Sequence, residues 1–366
     1  MAENVYEQHQ PEERMRMLKA FDETKAGVKG LIDSGLRKVP EIFVRPPEEL
    51  ACEARHINTS EIKVPVIDLS RIESDPKSRK AIVEQVRAAS GTWGFFQVAN
   101  HGIPRDVLDG MIGGVRAFNE LDADERKKYY SRDFGWRVRY SSNFDLYSSR
   151  TANWRDTLSF IFPDQINTDE LPESCRESTV EYSKYVKMLG NTLLELLSEA
   201  LGLKPDHLLK MDCSKGFRFS CHYYPACPEP ELTLGTSKHS DPGFLTILLQ
   251  SQISGLQVLH HGQWVNIEPN PGVLVVNIGD LLQLVSNGRF ISVKHRVVAR
   301  SIGPRISVAF FLSGPVGEVK VYGPIEEMLS EEDPAKYREV MLGDYIMRFV
   351  NTPLDGNLGV DYYKLP

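Results

Sequence analysis

Along the chain the spacing of apolar residues changes character once, and that change predicts the architecture. Tyr182, Val186, Leu189, Leu193, Leu197 and Ala200 recur at helical spacing and stop at Gly202, which predicts a long backing helix over 182–201. Upstream, Val64–Leu69 alternates like a strand. Asp75-Pro76 followed by Ile82, Val83, Val86 and Ala89 predicts a capped amphipathic helix ending at Gly91. Gly94–Val98 returns to strand, and Pro104 with Asp106 opens another helix through Phe118. After Phe217, short β-rich runs bounded by Pro and Gly follow one another as far as Leu312: 217–224, 246–249, 256–259, 264–267, 273–277, 291–298 and 305–312. Asp333-Pro334 then caps a last helical region toward Val350. Residues 1–50 are polar and punctuated by Gly and Pro, which predicts an extended arm or short helix.

The expected class is therefore α+β, a jelly roll or barrel with flanking N-terminal helices. Its divisions are an arm (1–60), a mainly helical region (61–210), the jelly roll (211–320) and a helical tail (321–366). At 366 residues with 41% hydrophobic and 25% charged side chains, the chain has the composition of a globular protein and not of a disordered or fibrous one. Lys and Arg number 43 against 50 Asp and Glu, so the net charge of -7 offers no electrostatic footprint for nucleic acid or an anionic membrane. Cys52, Cys175, Cys213, Cys221 and Cys227 are odd in number and contain no C-x-x-C pair, which suits reduced thiols. The first twenty residues lack an apolar targeting core, and no run of about 18 apolar residues follows. A cytoplasmic monomer is expected.

Of nine histidines one opens an H-x-D, at His239-Ser240-Asp241. Residues i and i+2 of a strand face the same way, so an imidazole and a carboxylate can meet at one point. His295, between two strand-like runs, is the candidate third ligand. Two imidazoles and one carboxylate leave positions open on Fe(II) for a bidentate 2-oxo acid and O2. Arg305, Ser307 and Phe311 share one face of an apolar strand. A guanidinium there needs an anion, and the far carboxylate of a dicarboxylate would meet it in a fork. By the same parity His222 and Tyr224 face a cosubstrate. Read singly, each of these is more simply a satisfied structural residue; together they make a metal site. His260-His261 reads as a hairpin turn, His101 as a loop residue, Trp93, Phe95 and Phe96 as core, and the charge run Asp122–Lys128 as a solvated helix face.

Several motifs stand in order: VPVIDL at 64–69, WGFFQVANHGIP at 93–104, HYYPACPEPELTLG at 222–235, KHSD at 238–241, NIGDLLQLVSNG at 277–288, KHRV at 294–297 and RIS at 305–307. With them nearly the whole chain resembles the plant 2-oxoglutarate and Fe(II)-dependent dioxygenases. The arm FDETKAGVKGLIDSGLRKVPEIF at 21–43 is similar to that of the 1-aminocyclopropane-1-carboxylate oxidase homologue branch, which includes the deacetoxyvindoline 4-hydroxylase type. The resemblance implies Fe(II) on His239, Asp241 and His295, and 2-oxoglutarate on Arg305, Ser307 and Tyr224, with ascorbate as reductant. It also implies a double-stranded β-helix (jelly roll) core and oxidation, usually hydroxylation, of a hydrophobic or aromatic specialised metabolite, giving succinate and CO2. The family usually has Asn at the position of His222, so the role of this imidazole is open. Phe144, Phe160 and Phe311, with Trp154, are expected to wall the substrate pocket. The alternatives are an ascorbate-dependent 1-aminocyclopropane-1-carboxylate oxidase and a non-catalytic small-molecule binder on the same fold.

Overall fold

The computed structural model describes residues 11–50, 62–162, 166–354 and 359–366. Cys52 and the expected arm boundary at residue 60 lie outside them. The arm forms two helices, α1 (Pro11–Glu23) and α2 (Gly27–Asp33). Leu18, Phe21, Val28 and Phe43 from this region make a small core of their own with Leu146 and Trp154. Helix α2 is pinned at its start, where the amides of Val28 and Lys29 donate to the two carboxylate oxygens of Asp156 at 2.8 and 2.7 Å. A helix N-terminus with its unpaired amides is a natural seat for a carboxylate.

Helix α3 (Pro76–Thr92) is capped as predicted, Asp75 accepting from the Ser78 amide at 2.9 Å. It runs through Gly91 and stops because Gly94 takes φ +63°, letting the amides of Trp93 and Gly94 both reach the Ala89 carbonyl. Helix α4 spans Arg105–Asn119 and helix α5 Arg176–Ala200. They pack on each other and on one face of the main sheet, α5 approaching closely where Gly190 meets Leu312. Between them the short helix Ala123–Lys127 corrects the reading of a wholly solvated charge run: Arg126 is buried and donates to the carbonyls of Asn119 and Leu121.

Fourteen strands are described: β1 (Val66–Asp68), β2 (Phe95–Ala99), β3 (Val138–Ser141), β4 (Asp156–Phe162), β5 (Gly216–Tyr224), β6 (Leu234–His239), β7 (Leu245–Gln250), β8 (Leu256–His260), β9 (Gln263–Asn266), β10 (Leu274–Ile278), β11 (His295–Val298), β12 (Arg305–Ser313), β13 (Val321–Tyr322) and β14 (Val340–Met341). Eight form one sheet in the order β1-β2-β10-β7-β12-β5-β4-β3, and four form a second, β6-β11-β8-β9. The large sheet takes strands from both sides of the expected division at residue 210. β3, β4 and β6 were not foreseen, and the strand expected over 291–298 is paired only from His295. His261 and Gly262, both at positive φ, turn β8 into β9 as a two-residue hairpin. Trp93, expected in the core, lies partly exposed and stacks on His260 at 3.6 Å. Among the described residues no helix is long and apolar enough to cross a membrane.

The last helix also begins later than predicted. Asp333-Pro334 does not cap it: Asp333 pairs with Lys336, and the Lys336 amide donates to Asn287. The chain then forms β14 before helix α6 (Leu342–Asn351) starts.

Alternation along the large sheet sorts its residues. Leu158, Phe160, Phe217, Phe219, Ile247, Val276, Ile306, Val308 and Phe310 face α4 and α5 and build the main core. The residues between them face the second sheet and the site.

Candidate active site

His239 ends β6 and His295 opens β11, and the two are direct cross-strand partners. Asp241 lies just beyond β6, where the Asp280 amide holds its carbonyl at 2.8 Å. The Nε2 atoms of both imidazoles stand 3.6 Å from Asp241 Oδ1, and the three ligand atoms lie within 4.8 Å of one another. Each imidazole is fixed through its other nitrogen: His239 Nδ1 donates to the Ser237 carbonyl at 2.8 Å and His295 Nδ1 to the Val293 carbonyl at 3.3 Å. A carbonyl can only accept, so both Nε2 atoms present lone pairs to the centre. Asp241 Oδ2 accepts from Thr246 at 2.6 Å and Asn277 at 2.8 Å, leaving Oδ1 for a metal. Burial alone would raise the Asp241 pKa, but the two imidazoles and these two hydrogen bonds hold it below the ordinary value. Burial, with His295 beside it, holds His239 well below the ordinary imidazole range. Two imidazoles with an ionised carboxylate are a donor set that fits Fe(II).

Around Ser240 a second layer fixes the ligand loop. Ser240 donates to Asp280, and Tyr345 donates to the same carboxylate at 2.8 Å. This is the work of Asp280 in the NIGDLLQLVSNG stretch.

Arg305 sits in the same pocket, 2% exposed. One nitrogen donates to Ser307 Oγ at 3.2 Å and another to Gln250 Oε1 at 3.0 Å, and the guanidinium lies 5.0 Å from the Tyr224 ring. Its Nε has no partner, and among the described residues no carboxylate pairs with it. Burial lowers its pKa, yet a guanidinium stays charged at neutral pH. Such an arginine fits the distal carboxylate of 2-oxoglutarate. His222 lines the pocket with Nδ1 3.0 Å from Thr157 Oγ1; burial and the nearby Arg155 and Arg305 push its pKa well down, so the ring is neutral.

Next to this pocket a larger cavity, walled in part by His239 and Asp241, opens outward. Phe144 and Phe311 line it. Phe160 does not: it lies on the opposite face of β4, buried against Phe219, because Thr157 and Ser159 hold the inward positions. Trp154 is likewise absent from the wall, packing edge-on against Phe43 in the arm's core and donating Nε1 to the Pro225 carbonyl. Three inward arginines escaped the sequence reading: Arg139 on β3, Arg155 before β4 and Arg218 on β5. Arg218 was within reach, two residues before Ser220 on a strand already drawn; the other two needed β3 and β4.

With this geometry in hand, comparison with known proteins is decisive. Residues 217–314 match the 2OG-Fe(II) oxygenase superfamily, and 64–179 match the N-terminal region described as non-haem dioxygenase in morphine synthesis. Over 355 residues the chain is 52% identical to 1-aminocyclopropane-1-carboxylate oxidase homolog 1 of Arabidopsis thaliana, covering 96% of this chain and 97% of that protein. The chain belongs to the 2OG-Fe(II) oxygenases. Deacetoxyvindoline 4-hydroxylase of Catharanthus roseus is 52% identical over 342 residues, covering 92% of this oxygenase and 85% of the relative. Among solved structures, JOX2 in complex with 2OG, Fe and JA superposes with a TM-score of 0.81 at 29% identity, covering 93% of this chain and 98% of its own. The dioxygenase for auxin oxidation in rice gives 0.70 at 26% identity, covering 83% and 100%. The jelly-roll core, the dioxygenase class and the iron and 2-oxoglutarate requirement all follow from this membership.

Proposed function

We propose that this oxygenase hydroxylates a small specialised metabolite with an apolar body, consuming 2-oxoglutarate and O2 and releasing succinate and CO2, with ascorbate as reductant. Bound Fe(II) supplies the activation of dioxygen; the protein supplies position, charge and exclusion of water. In this reading His239, Asp241 and His295 hold the metal, their hydrogen bonds to backbone, Thr246 and Asn277 keeping the donor atoms aimed at one point. Arg305 and Ser307 grip the distal carboxylate of 2-oxoglutarate, with Tyr224 alongside. His222, neutral and tied to Thr157, takes the metal-proximal end as a hydrogen-bond partner and carries no charge. Phe144 and Phe311 present the organic substrate to the metal-facing side of the cavity.

The observation that carries the reading is Arg305, a buried guanidinium with a spare donor and no carboxylate partner among the described residues, in the pocket of a complete ligand triad. JOX2, solved with 2OG and Fe, supports it over an ascorbate-only 1-aminocyclopropane-1-carboxylate oxidase, and the triad argues against a mere binder. A cytoplasmic monomer without nucleic-acid or membrane partners completes the proposal, supported by the net charge of -7 and four buried free cysteines. The test is succinate release by the purified protein with Fe(II) and 2-oxoglutarate under air. Release that requires both, and stops without O2, is expected; none under any condition would overturn the reading.

A further inference from the structure

The larger cavity carries more positive charge than iron and 2-oxoglutarate can use. Fe(II), Asp241, Arg305 and a dianionic 2-oxoglutarate cancel one another, which leaves Arg139, Arg155 and Arg218. Arg155, 5% exposed, reaches both pockets; it donates to Thr236 Oγ1 at 2.8 Å while its Nε has no partner. Arg139, also 5% exposed, and Arg218 line the larger cavity alone. Among the described residues neither pairs with a carboxylate. Among the described residues the Arg139 side chain makes one long hydrogen bond, 3.4 Å to the Asp133 carbonyl, and the Arg218 side chain makes none. Each instead lies over an aromatic ring, Arg139 4.0 Å from the centre of Phe134 and Arg218 4.6 Å from Phe311. Ring contacts of this kind offset part of the cost of burying a cation but accept none of its N–H donors.

Register brings the two side chains to one region. Arg139 pairs across to Ser159 and Arg218 to Ile161, two residues on along β4, and both point to the inner face. Ser159 and Ser220 stand between them and add hydroxyl donors. We propose that the organic substrate is an acid, its anionic group held by Arg139 and Arg218 and its apolar body against Phe134, Phe144, Phe311 and Phe349 beside the metal centre. This rests on the oxygenase reading and names its substrate class: an aromatic or alicyclic carboxylate or sulfate rather than a neutral metabolite.

The test measures thermal stabilisation of the iron-free protein by matched probes: 3-phenylpropionate against methyl 3-phenylpropionate, cinnamate against methyl cinnamate, and phenyl sulfate against phenol. The acids should bind and the neutral partners should bind at least tenfold more weakly. In an Arg139→Gln/Arg218→Gln double variant the acids should lose at least tenfold and the neutral probes should not change, while Arg139→Lys/Arg218→Lys should recover part of the preference. Without ligand, the Gln variant should melt no lower than wild type, because no ion pair is lost; single Arg218→Gln serves if the double variant folds poorly. Tighter binding of phenyl sulfate than of the carboxylates would support the anion site and assign the group as sulfate, and the reverse as carboxylate. Equal binding of acid and neutral partner, no binding of any acid, or a preference that survives both substitutions would overturn the inference. Because iron is absent, acid selection without succinate release from the iron-loaded enzyme would sink the oxygenase reading alone, and succinate release without acid selection would sink this one alone.

Discussion

The two faces of the large sheet are made from alternate residues of the same strands, and they have opposite chemistry. On β5, Phe217, Phe219 and Cys221 point outward under α4 and α5, while Arg218, Ser220 and His222 point inward. On β12, Ile306, Val308 and Phe310 face the helices while Arg305, Ser307 and Phe311 face the site. The outer face is stabilised by burial of apolar area, worth roughly 1.5–3 kcal/mol for each large side chain. The inner face keeps cations and neutral donors out of bulk water without carboxylate partners, which costs stability. The difference teaches that this fold separates its stability from its chemistry by a period of two, so adjacent residues should fail in different ways when substituted.

The largest effect should come from the inner face. Asp241→Ala removes the carboxylate of the triad and should lower succinate formation at least about a thousandfold with loss of bound iron, since one ligand of three is gone. Its urea midpoint should fall only modestly, because no apolar core contact is lost although Thr246 and Asn277 lose a buried acceptor. Near wild-type turnover in that variant would refute the metal assignment.

Neighbouring phenylalanines give the sharpest contrast. Phe310, fully buried between Phe217 and Phe219, should cost about 3–5 kcal/mol as Phe310→Ala while the folded fraction keeps its 2-oxoglutarate affinity. Phe311→Ala should cost far less stability and instead raise the succinate-to-product ratio several-fold, as a looser substrate leaves the reacting position. Equal destabilisation by the two would place Phe311 in the core.

Asp156 is the buried carboxylate of the outer face, holding the start of α2. Burial pushes its pKa up to about 6, against the opposing pull of the Lys29 and Val28 amides. The folded state therefore binds the proton more tightly than the unfolded chain, so this contribution is fully present below about pH 4 and is lost as pH rises to about 6, a change of about 3 kcal/mol. Asp156→Asn should remove that component, seen as a flatter stability difference between pH 4.5 and 7. An unchanged pH profile would show that Asp156 ionises normally.

Arg305→Leu should raise the 2-oxoglutarate KM by about 10- to 100-fold, the equivalent of roughly 1.5–3 kcal/mol for a charge-assisted pair, without lowering the melting temperature. An unaltered KM together with a lower melting temperature would make Arg305 a structural residue.

The amino-acid sequence by itself determined a good deal. Short β-rich runs after Phe217 and the helical repeat over 182–201 are local patterns; most of the strands formed close to their predicted spans, and the helix formed but begins earlier, at Arg176. Strand parity at Arg305, Ser307 and Phe311 is local too, and the structure puts all three on the inner face. His239, Asp241 and His295 were legible because one tripeptide and one flanked histidine stood in the right order, though only β6 pairing with β11 makes the two imidazoles cross-strand neighbours. What tertiary structure alone decided lies where no local signal exists. β3 and β4 carry mixed sequences that become strands by adding to the edge beside β5, and that pairing sent Phe160 into the core and Arg139 toward the cavity. Trp154 was claimed by the arm's own core, packing on Phe43 from more than a hundred residues away. Arg155 and Arg139 carry no local signal of burial; it is fixed by which strands pair, a long-range contact that spacing along the chain does not encode.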